Sequence, residues 1–283
     1  MYTTRVDRTR RVSYRAGPMG IDWQGSRVLL TGASSGIGAG LAEEFARRGA
    51  VIGLSARDAN RLSATAARCR EQGAEVHELL ADLADPAAVD QLAADALAAL
   101  GGVDVLVNNA GIPKRRNVQA LDAATVDAVM QVNFLAPTRL TLALLPQMIE
   151  RGDGRIVNVS SVAATLSSPG EAAYDASKSA LCVFSEAMAM DIWETGVKVL
   201  VVYPGVVDTP LFHLPDNDPF TAAVEFITVE EFVGATFDAL DRGALEVYIP
   251  EYFKDFVTGK ANNVEGFIAG TAEYMRQQAA TDA

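Results

Sequence analysis

The sequence predicts an α/β protein, a doubly wound, seven-stranded parallel sheet with helices on both faces. Three observations predict it. Short apolar runs rich in β-forming residues recur near 27–31, 51–55, 75–80, 103–107, 155–160, 197–203 and 245–249. Mostly helical stretches separate them, an alternation that calls for parallel pairing through right-handed crossovers. The first run opens into a glycine-rich turn near the start of the chain, and ligands of such sheets bind at the carboxyl ends of the strands.

The elements follow in order. Val28-Leu29-Leu30-Thr31 leads into Gly32-Ala33-Ser34-Ser35-Gly36-Ile37-Gly38, and then Leu41, Ala42, Phe45 and Ala46 fall at helical spacing. This is a Rossmann-type phosphate cradle. Glycines permit the tight turn and close backbone approach, while the free N–H groups and positive end of the new helix face a pyrophosphate. The second run ends at Ala56-Arg57, the third before Asp82, and the fourth in Asn108-Asn109-Ala110-Gly111. The helical stretch over 122–149 contains Asn133-Phe134-Leu135-Ala136-Pro137. Pro137 has no N–H to give the carbonyl of Asn133, so in a helix that oxygen is left to hold a water; a simple proline kink is the alternative.

Gly154-Arg155-Ile156-Val157-Asn158-Val159 is the fifth run, and Ser160-Ser161 stand at its carboxyl edge. Tyr174 lies thirteen residues after Ser161 and Lys178 four residues after that, within a helical stretch from Ala172 to about Thr195. Residues four apart share a helix face, which sets the ammonium beside the phenol. A neighbouring cation favours the phenolate, so Lys178 is expected to lower the pKa of Tyr174 and fit it for proton exchange with an alcohol or carbonyl. The sixth run ends in Pro204-Gly205, and the seventh closes the sheet. Gly32, Asn108, Ser161 and Pro204 all fall at or just past strand ends and converge on one crevice.

Together these motifs resemble the short-chain dehydrogenase/reductase family in its compact single-domain form, from about Ser26 to Pro250. Thr31, Gly32, Gly36 and Gly38 match its dinucleotide signature, Asn108 to Gly111 its segment after the fourth strand, and Ser161, Tyr174 and Lys178 its catalytic set. The resemblance implies Tyr174 as general acid/base and Lys178 as the residue that binds the nicotinamide ribose and tunes Tyr174. It implies that Ser161 orients the carbonyl and that Asn133 supports a proton-relay water. Thr209, after Pro204-Gly205, would contact the carboxamide, and Asp82 the adenine; Asn109, Ala110 and Gly111 belong to the same cofactor site. A homodimer or homotetramer is also implied, through the helices containing 122–149 and 172–195, whose outer faces should then be apolar.

Where an acidic residue would accept hydrogen bonds from the free ribose hydroxyls of NAD, the second run carries Ala56 and then Arg57, a guanidinium suited to the 2′-phosphate of NADP. Ser35 could add a hydroxyl. NADP is therefore expected over NAD, although a register shift of two would bring Asp58 to the ribose and reverse the preference. The segment 211–228 carries Phe212, Leu214, Phe220 and Phe226 among Pro215, Pro219 and Asp216-Asn217-Asp218. It is expected to be a lid over an apolar pocket rather than a regular element. Thr228 and Glu231 then form a capping box.

The chain has 283 residues, 49% apolar and 21% charged, which suits one domain over 21–250. A formal charge of −12 argues against nonspecific nucleic-acid binding. Residues 1–20 run the other way, with five arginines against one aspartate, and are expected to be a flexible basic extension rather than a targeting peptide. No uninterrupted apolar run suggests a membrane span, so the cytoplasm is the default location. Cys69 and Cys182 argue against a disulfide framework, and with only His77 and His213 there is no metal-ligand spacing. Lys114-Arg115-Arg116 is read as a solvated turn, with attraction of an acidic carrier as the alternative. The aromatic-rich extension 251–283 could pack on the domain, a neighbouring subunit or the pocket. The expected activity is hydride transfer between a nicotinamide and a secondary alcohol or ketone of an apolar small molecule. The alternatives are an NAD-linked alcohol or sterol dehydrogenase and a non-catalytic nucleotide sensor on the same fold.

Overall fold

The computed structural model describes residues 21–218 and 225–281. The basic extension 1–20 and the 219–224 part of the expected lid lie outside the described residues.

Seven parallel strands stand in the order β3-β2-β1-β4-β5-β6-β7. They are β1 Arg27–Thr31, β2 Val51–Ala56, β3 Val76–Leu80, β4 Val105–Asn108, β5 Gly154–Val159, β6 Val197–Pro204 and β7 Glu246–Ile249. Each expected run is a strand, within a residue or two at its ends. Covered on both faces, such strands read as continuous apolar runs rather than alternating ones. Helices α1 Gly36–Arg47, α2 Ala59–Glu71 and α8 Val229–Asp241 close one face, where Leu41, Phe45, Leu62, Phe232 and Phe237 are buried. Trp23, Phe45 and Phe237 meet edge to face there, with ring centroids 4.8–5.5 Å apart. The expected capping box of α8 is formed by Thr228 and Glu231. Helices α3 Pro86–Leu100, α5 Ala136–Arg151 and α7 Ala172–Asp191 close the other face around Leu92, Leu140, Leu144 and Met188. The chain reverses its winding between β1 and β4, which opens a crevice at their carboxyl ends.

The stretch expected as one helix over 122–149 has an interruption. Helix α4 (Ala123–Met130) passes through a π turn, Gln131–Leu135, into α5, and the N–H of Ala136 reaches back five residues to the carbonyl of Gln131. Pro137 enters at the start of α5, where its missing N–H breaks the regular ladder. Residues 123–151 are long and apolar enough by composition to cross a bilayer, with mean hydropathy 1.3. In this fold the buried face of that stretch packs on α3 and α7, as a core helix does. A short helix α6 (Ala163–Leu166) follows β5, and α9 (Phe253–Asn262) and α10 (Val264–Thr281) make up the C-terminal extension. Cys69 and Cys182 are free and buried, on α2 and α7.

Candidate active site

The glycine turn is built by close approach. A side-chain carbon on Gly38 would stand 2.1 Å from the carbonyl oxygen of Gly32, and one on Gly32 2.8 Å from the Cα of Ala110. Gly32 also has φ +68°, the left-handed region that glycine tolerates. The start of α1 carries no side-chain cap, so its first N–H groups are left to a ligand. Asn109 ties this turn to β4, donating from Nδ2 to the carbonyls of Thr31 (3.0 Å) and Gly32 (3.3 Å). The Thr31 hydroxyl accepts the N–H groups of Asn109 and Ala110 at 3.1 and 3.2 Å and donates to the carbonyl of Val107. A cradle that a single Cβ would fill, at an uncapped helix end, fits a dinucleotide pyrophosphate.

From the cradle a single cleft of about 1050 Å³ runs along the strand ends. Gly32, Ser34, Ser35, Gly36, Ile37, Gly38, Arg57, Asp82, Asn109, Ala110, Gly111, Pro204, Gly205 and Thr209 line it, together with Ser161, Tyr174 and Lys178. Asn133 does not reach the cleft; it is 0% exposed behind the wall. Its side chain grips the segment after β4, accepting the N–H of Ile112 at 2.8 Å and donating to the Ile112 carbonyl and the Ser177 hydroxyl at 3.0 Å each. Gly111 sits beside both Asn133 and Lys178: a carbon added there would lie 3.3 Å from Asn133 Oδ1 and 3.4 Å from Lys178 Nζ.

Ser161 stands two residues beyond β5. Its Oγ accepts the N–H of Ala163 at 3.1 Å, which leaves the O–H to turn toward the neighbouring Tyr174 phenol. Lys178 donates to the carbonyl of Val159 at 2.8 Å, with Nζ 5.8 Å from the centre of the Tyr174 ring. Burial pulls the Lys178 ammonium down to about 8. Burial also pushes the Tyr174 phenol above its ordinary value, and nearby Glu171 pushes it further, against the opposing pull of the Ser161 hydroxyl. The lowering expected from Lys178 is not among the leading influences on Tyr174, which stays protonated at neutral pH.

At the far end of the cleft, Arg57 is exposed and lines the wall beside Ser34, Ser35 and Arg61. Asp58 is turned to other work. It caps α2, accepting the Arg61 N–H at 3.0 Å, and pairs with the Arg61 guanidinium at 2.7 Å. The sequence reading did not include Arg61.

The basic triplet is not a solvated turn. Arg115 is 4% exposed, and its guanidinium donates to the carbonyls of Asp218 and Phe212 at 3.0 Å each. Its backbone N–H donates to Asn217 Oδ1 at 2.7 Å, Lys114 pairs with Asp216, and Arg116 lies 3.5 Å from Asp218. Residues 114–117 thus clamp the segment after β6, which opens with a 3-10 turn, Pro210–His213, and whose Phe212 packs edge to face on Phe226. Arg115 also stands 4.0 Å from Glu171, a buried cleft-lining carboxylate three residues before Tyr174. The C-terminal extension resolves to the pocket: α10 lines the cleft, and Lys260 of α9 donates to the Thr165 carbonyl and the Ser167 hydroxyl at 2.7 and 2.9 Å. Among the described residues, no group of three or more His, Cys, Asp or Glu side chains is placed to hold a metal.

A parallel sheet with a glycine cradle at its switch point, and a serine, tyrosine and lysine in the same crevice, defines a dinucleotide-binding enzyme class. Residues 26–218 match the family model for short chain dehydrogenase, and the chain belongs to that family. It is 39% identical over 194 residues to a fatty acyl-CoA reductase of Mycobacterium tuberculosis, covering 68% of this chain and 66% of that protein. A short-chain dehydrogenase from Sphingobium yanoikuyae, solved in complex with NADPH, superposes with a TM-score of 0.76 at 33% identity, covering 85% of this chain and 95% of that one. A short-chain dehydrogenase/reductase from Burkholderia phymatum, solved in complex with NAD, gives a TM-score of 0.79 at 25% identity, covering 87% of this chain and 96% of that one.

Proposed function

We propose that this chain is an NADP-dependent oxidoreductase that interconverts a secondary alcohol and a ketone on an apolar small molecule. The observation that carries the reading is the convergence of Ser161, Tyr174 and Lys178 on one cleft with the glycine cradle. A bound nicotinamide supplies or accepts the hydride. Gly32 and Gly36 to Gly38 would hold its pyrophosphate, Asp82 its adenine side, Asn109, Ala110 and Gly111 the middle of the dinucleotide, and Pro204, Gly205 and Thr209 the carboxamide side.

In the reducing direction the substrate oxygen sits between the Ser161 and Tyr174 hydroxyls. Both donate to it as negative charge develops, and Tyr174 gives up its proton. The raised pKa of Tyr174 suits that step, because it keeps the proton in place until the oxygen demands it. Lys178, mostly charged at neutral pH, then faces a phenolate that it stabilises. Asn133 holds Ile112 with its side chain, and its main-chain carbonyl, which no Pro137 N–H can engage, would hold the relay water that refills the proton through Lys178.

NADP is preferred on the strength of Arg57 and Arg61, two guanidinium groups at the cleft end with Ser34 and Ser35, where Asp58 is engaged by its own helix. Of the expected lid, the described residues Leu211, Phe212, Leu214 and Glu225 line the cleft, which supports a role in covering the substrate. The reading includes a homodimer or homotetramer, supported by the outer faces of α5 and α7, where Leu142, Val183 and Met190 are 58%, 64% and 70% exposed. Free buried cysteines fit a reducing compartment such as the cytoplasm.

The test is NADPH and NADH oxidation against ketones, quinones, steroids and acyl thioesters, with Tyr174→Phe and Arg57→Asp alongside. Expected are turnover with NADPH, its loss by at least about a hundredfold in Tyr174→Phe with cofactor binding intact, and a swing toward NADH in Arg57→Asp. Equal turnover by Tyr174→Phe would reject the mechanism. A strong wild-type preference for NADH would reject the cofactor assignment, and tight NADPH binding without turnover would favour a sensor.

A further inference from the structure

The cleft continues past the Ser161–Tyr174 pair to a wall that the dinucleotide cradle does not need. Helix α10 presents Phe267, Thr271, Tyr274 and Met275 to it, spacings of four, three and one that place all four side chains on one helix face. Tyr252 and Phe256, at the start of α9, line the same cavity. None of these lining residues is charged, and Thr271 and the phenols of Tyr252 and Tyr274 are the polar groups among them; the Lys260 ammonium stands 5.7 Å from the centre of the Phe267 ring. From Phe267 to Met275 the face runs about 12 Å along the helix axis. That length suits an extended chain better than a compact ring system, and a methionine at its end adapts to chains of different reach.

The helix is anchored at its base. Asn263 Oδ1 accepts the Gly266 N–H at 2.9 Å where α10 begins, and Lys260, just before the joint, is fastened to Thr165 and Ser167 beside the catalytic pocket. The anchor is polar and the face is apolar, so the helix is held in place without its pocket side being used up in packing.

We propose that α10 is a substrate-recognition element: its Phe267, Thr271, Tyr274 and Met275 face seats the extended alkyl chain of a molecule whose carbonyl or hydroxyl end lies at Ser161 and Tyr174. The proposal rests on the oxidoreductase reading for the position of the reacting end and adds the class of substrate, a linear long-chain carbonyl compound or alcohol. It also makes α10 a ruler, since affinity should climb with chain length only while added methylenes still find the helix face.

The experiment uses the full chain with NADPH present. Binding of the fluorescent polyene fatty acid cis-parinaric acid is measured, then its displacement by 2-alkanones from hexan-2-one to tetradecan-2-one. Expected is a rise in affinity of roughly three- to fourfold per methylene up to a plateau. Met275→Lys, which puts a charge on the face, and Thr271→Trp, which fills it, should each weaken the longest ketones at least about tenfold and leave hexan-2-one unchanged. Circular dichroism of both variants guards against loss of the helix. Equal binding of short and long ketones, or long-chain binding untouched in both variants, would overturn the proposal. Turnover is followed in the same samples. Length-dependent binding without Tyr174-dependent turnover would support the seat and refute the oxidoreductase reading, whereas turnover indifferent to chain length would refute the seat alone.

Discussion

Arg115 offers the sharpest energetic test, because one buried cation holds three groups that sequence distance keeps apart. Its guanidinium donates to the carbonyls of Phe212 and Asp218 and faces the Glu171 carboxylate at 4.0 Å. Arg115→Met keeps most of the apolar stem and deletes the charge. Two charge-assisted hydrogen bonds are lost, each worth about 1.5–3 kcal/mol, but the freed carbonyls lie on a surface segment and recover part of this from water. Glu171 loses the cation that holds its pKa down against burial, yet it can take up a proton, which limits the penalty. The net expectation is a loss of about 3 kcal/mol at pH 8. Glu171 already titrates above its ordinary value, so the stability tied to its neutral form is present at low pH and lost as pH rises through its folded pKa. The variant's deficit should therefore shrink toward pH 5. Glu171→Gln alone should cost under about 1 kcal/mol, and the double variant should recover about 1–2 kcal/mol relative to Arg115→Met, a coupling measured by urea unfolding. Additive effects within about 0.5 kcal/mol, or a deficit that grows as pH falls, would refute this account.

Two other perturbations follow. Asp175 is buried, with Oδ2 accepting the Ser168 N–H at 2.6 Å and Oδ1 unpartnered; burial, with Glu171 adding to it, pushes its pKa up to about 7. Its folded pKa lies above the unfolded one, so stability is lost between about pH 4 and 7, and Asp175→Asn should gain on the wild type by about 2–4 kcal/mol across that window. Lys260 and Glu171 are the other charges acting on Asp175, and a difference independent of pH in urea titrations would sink the argument. Val183→Glu with Met190→Glu should convert the assembly to monomers in light scattering, because both side chains are more than half exposed on one outer helix. A monomeric wild type would dispose of the interface instead.

What the sequence disclosed, and what it withheld, divides along the range of the interactions. The sheet was legible because strands buried on both faces, such as β1, β4 and β6, read as apolar runs, while the edge strand β3, Val76-His77-Glu78-Leu79-Leu80, is partly exposed and was found by its place in the alternation. The cradle and the Ser161, Tyr174 and Lys178 spacing were legible because each is a backbone or helix-face constraint within a few residues. The π turn was half legible: Pro137 revealed that a carbonyl is released, but not that the ladder would shift to a five-residue bond at Ala136. Arg115 was misread because three consecutive basic residues look solvated, and its burial depends on carbonyls about a hundred positions away. The C-terminal helix was undecidable for the opposite reason. Its exposed Ile268 and Val264 mix with the pocket-facing Phe267 and Met275, so composition alone assigns it no single face.

A further layer, invisible in any motif, explains why the legible residues meet. Near the ends of β4 and β5, Asn108 and Asn158 stand side by side, and Asn108 Nδ2 donates to Asn158 Oδ1 at 2.8 Å and to the Thr141 hydroxyl at 3.3 Å. Asn158 Nδ2 donates in turn to the Ser185 hydroxyl at 2.7 Å. All four side chains are buried, so each unmade bond would cost the full desolvation of a polar group. Thr141 lies on α5 beyond Asn133, and Ser185 on α7 beyond Lys178. Apolar packing alone would tolerate small slides and rotations of these helices across the sheet. The network does not, because a slide large enough to move Tyr174 away from Ser161 would also break the bond of Asn158 to Ser185 on α7. The sheet therefore sets the positions of its catalytic helices from below, through polar bonds at the strand ends, while the cleft above is left free to vary with the substrate.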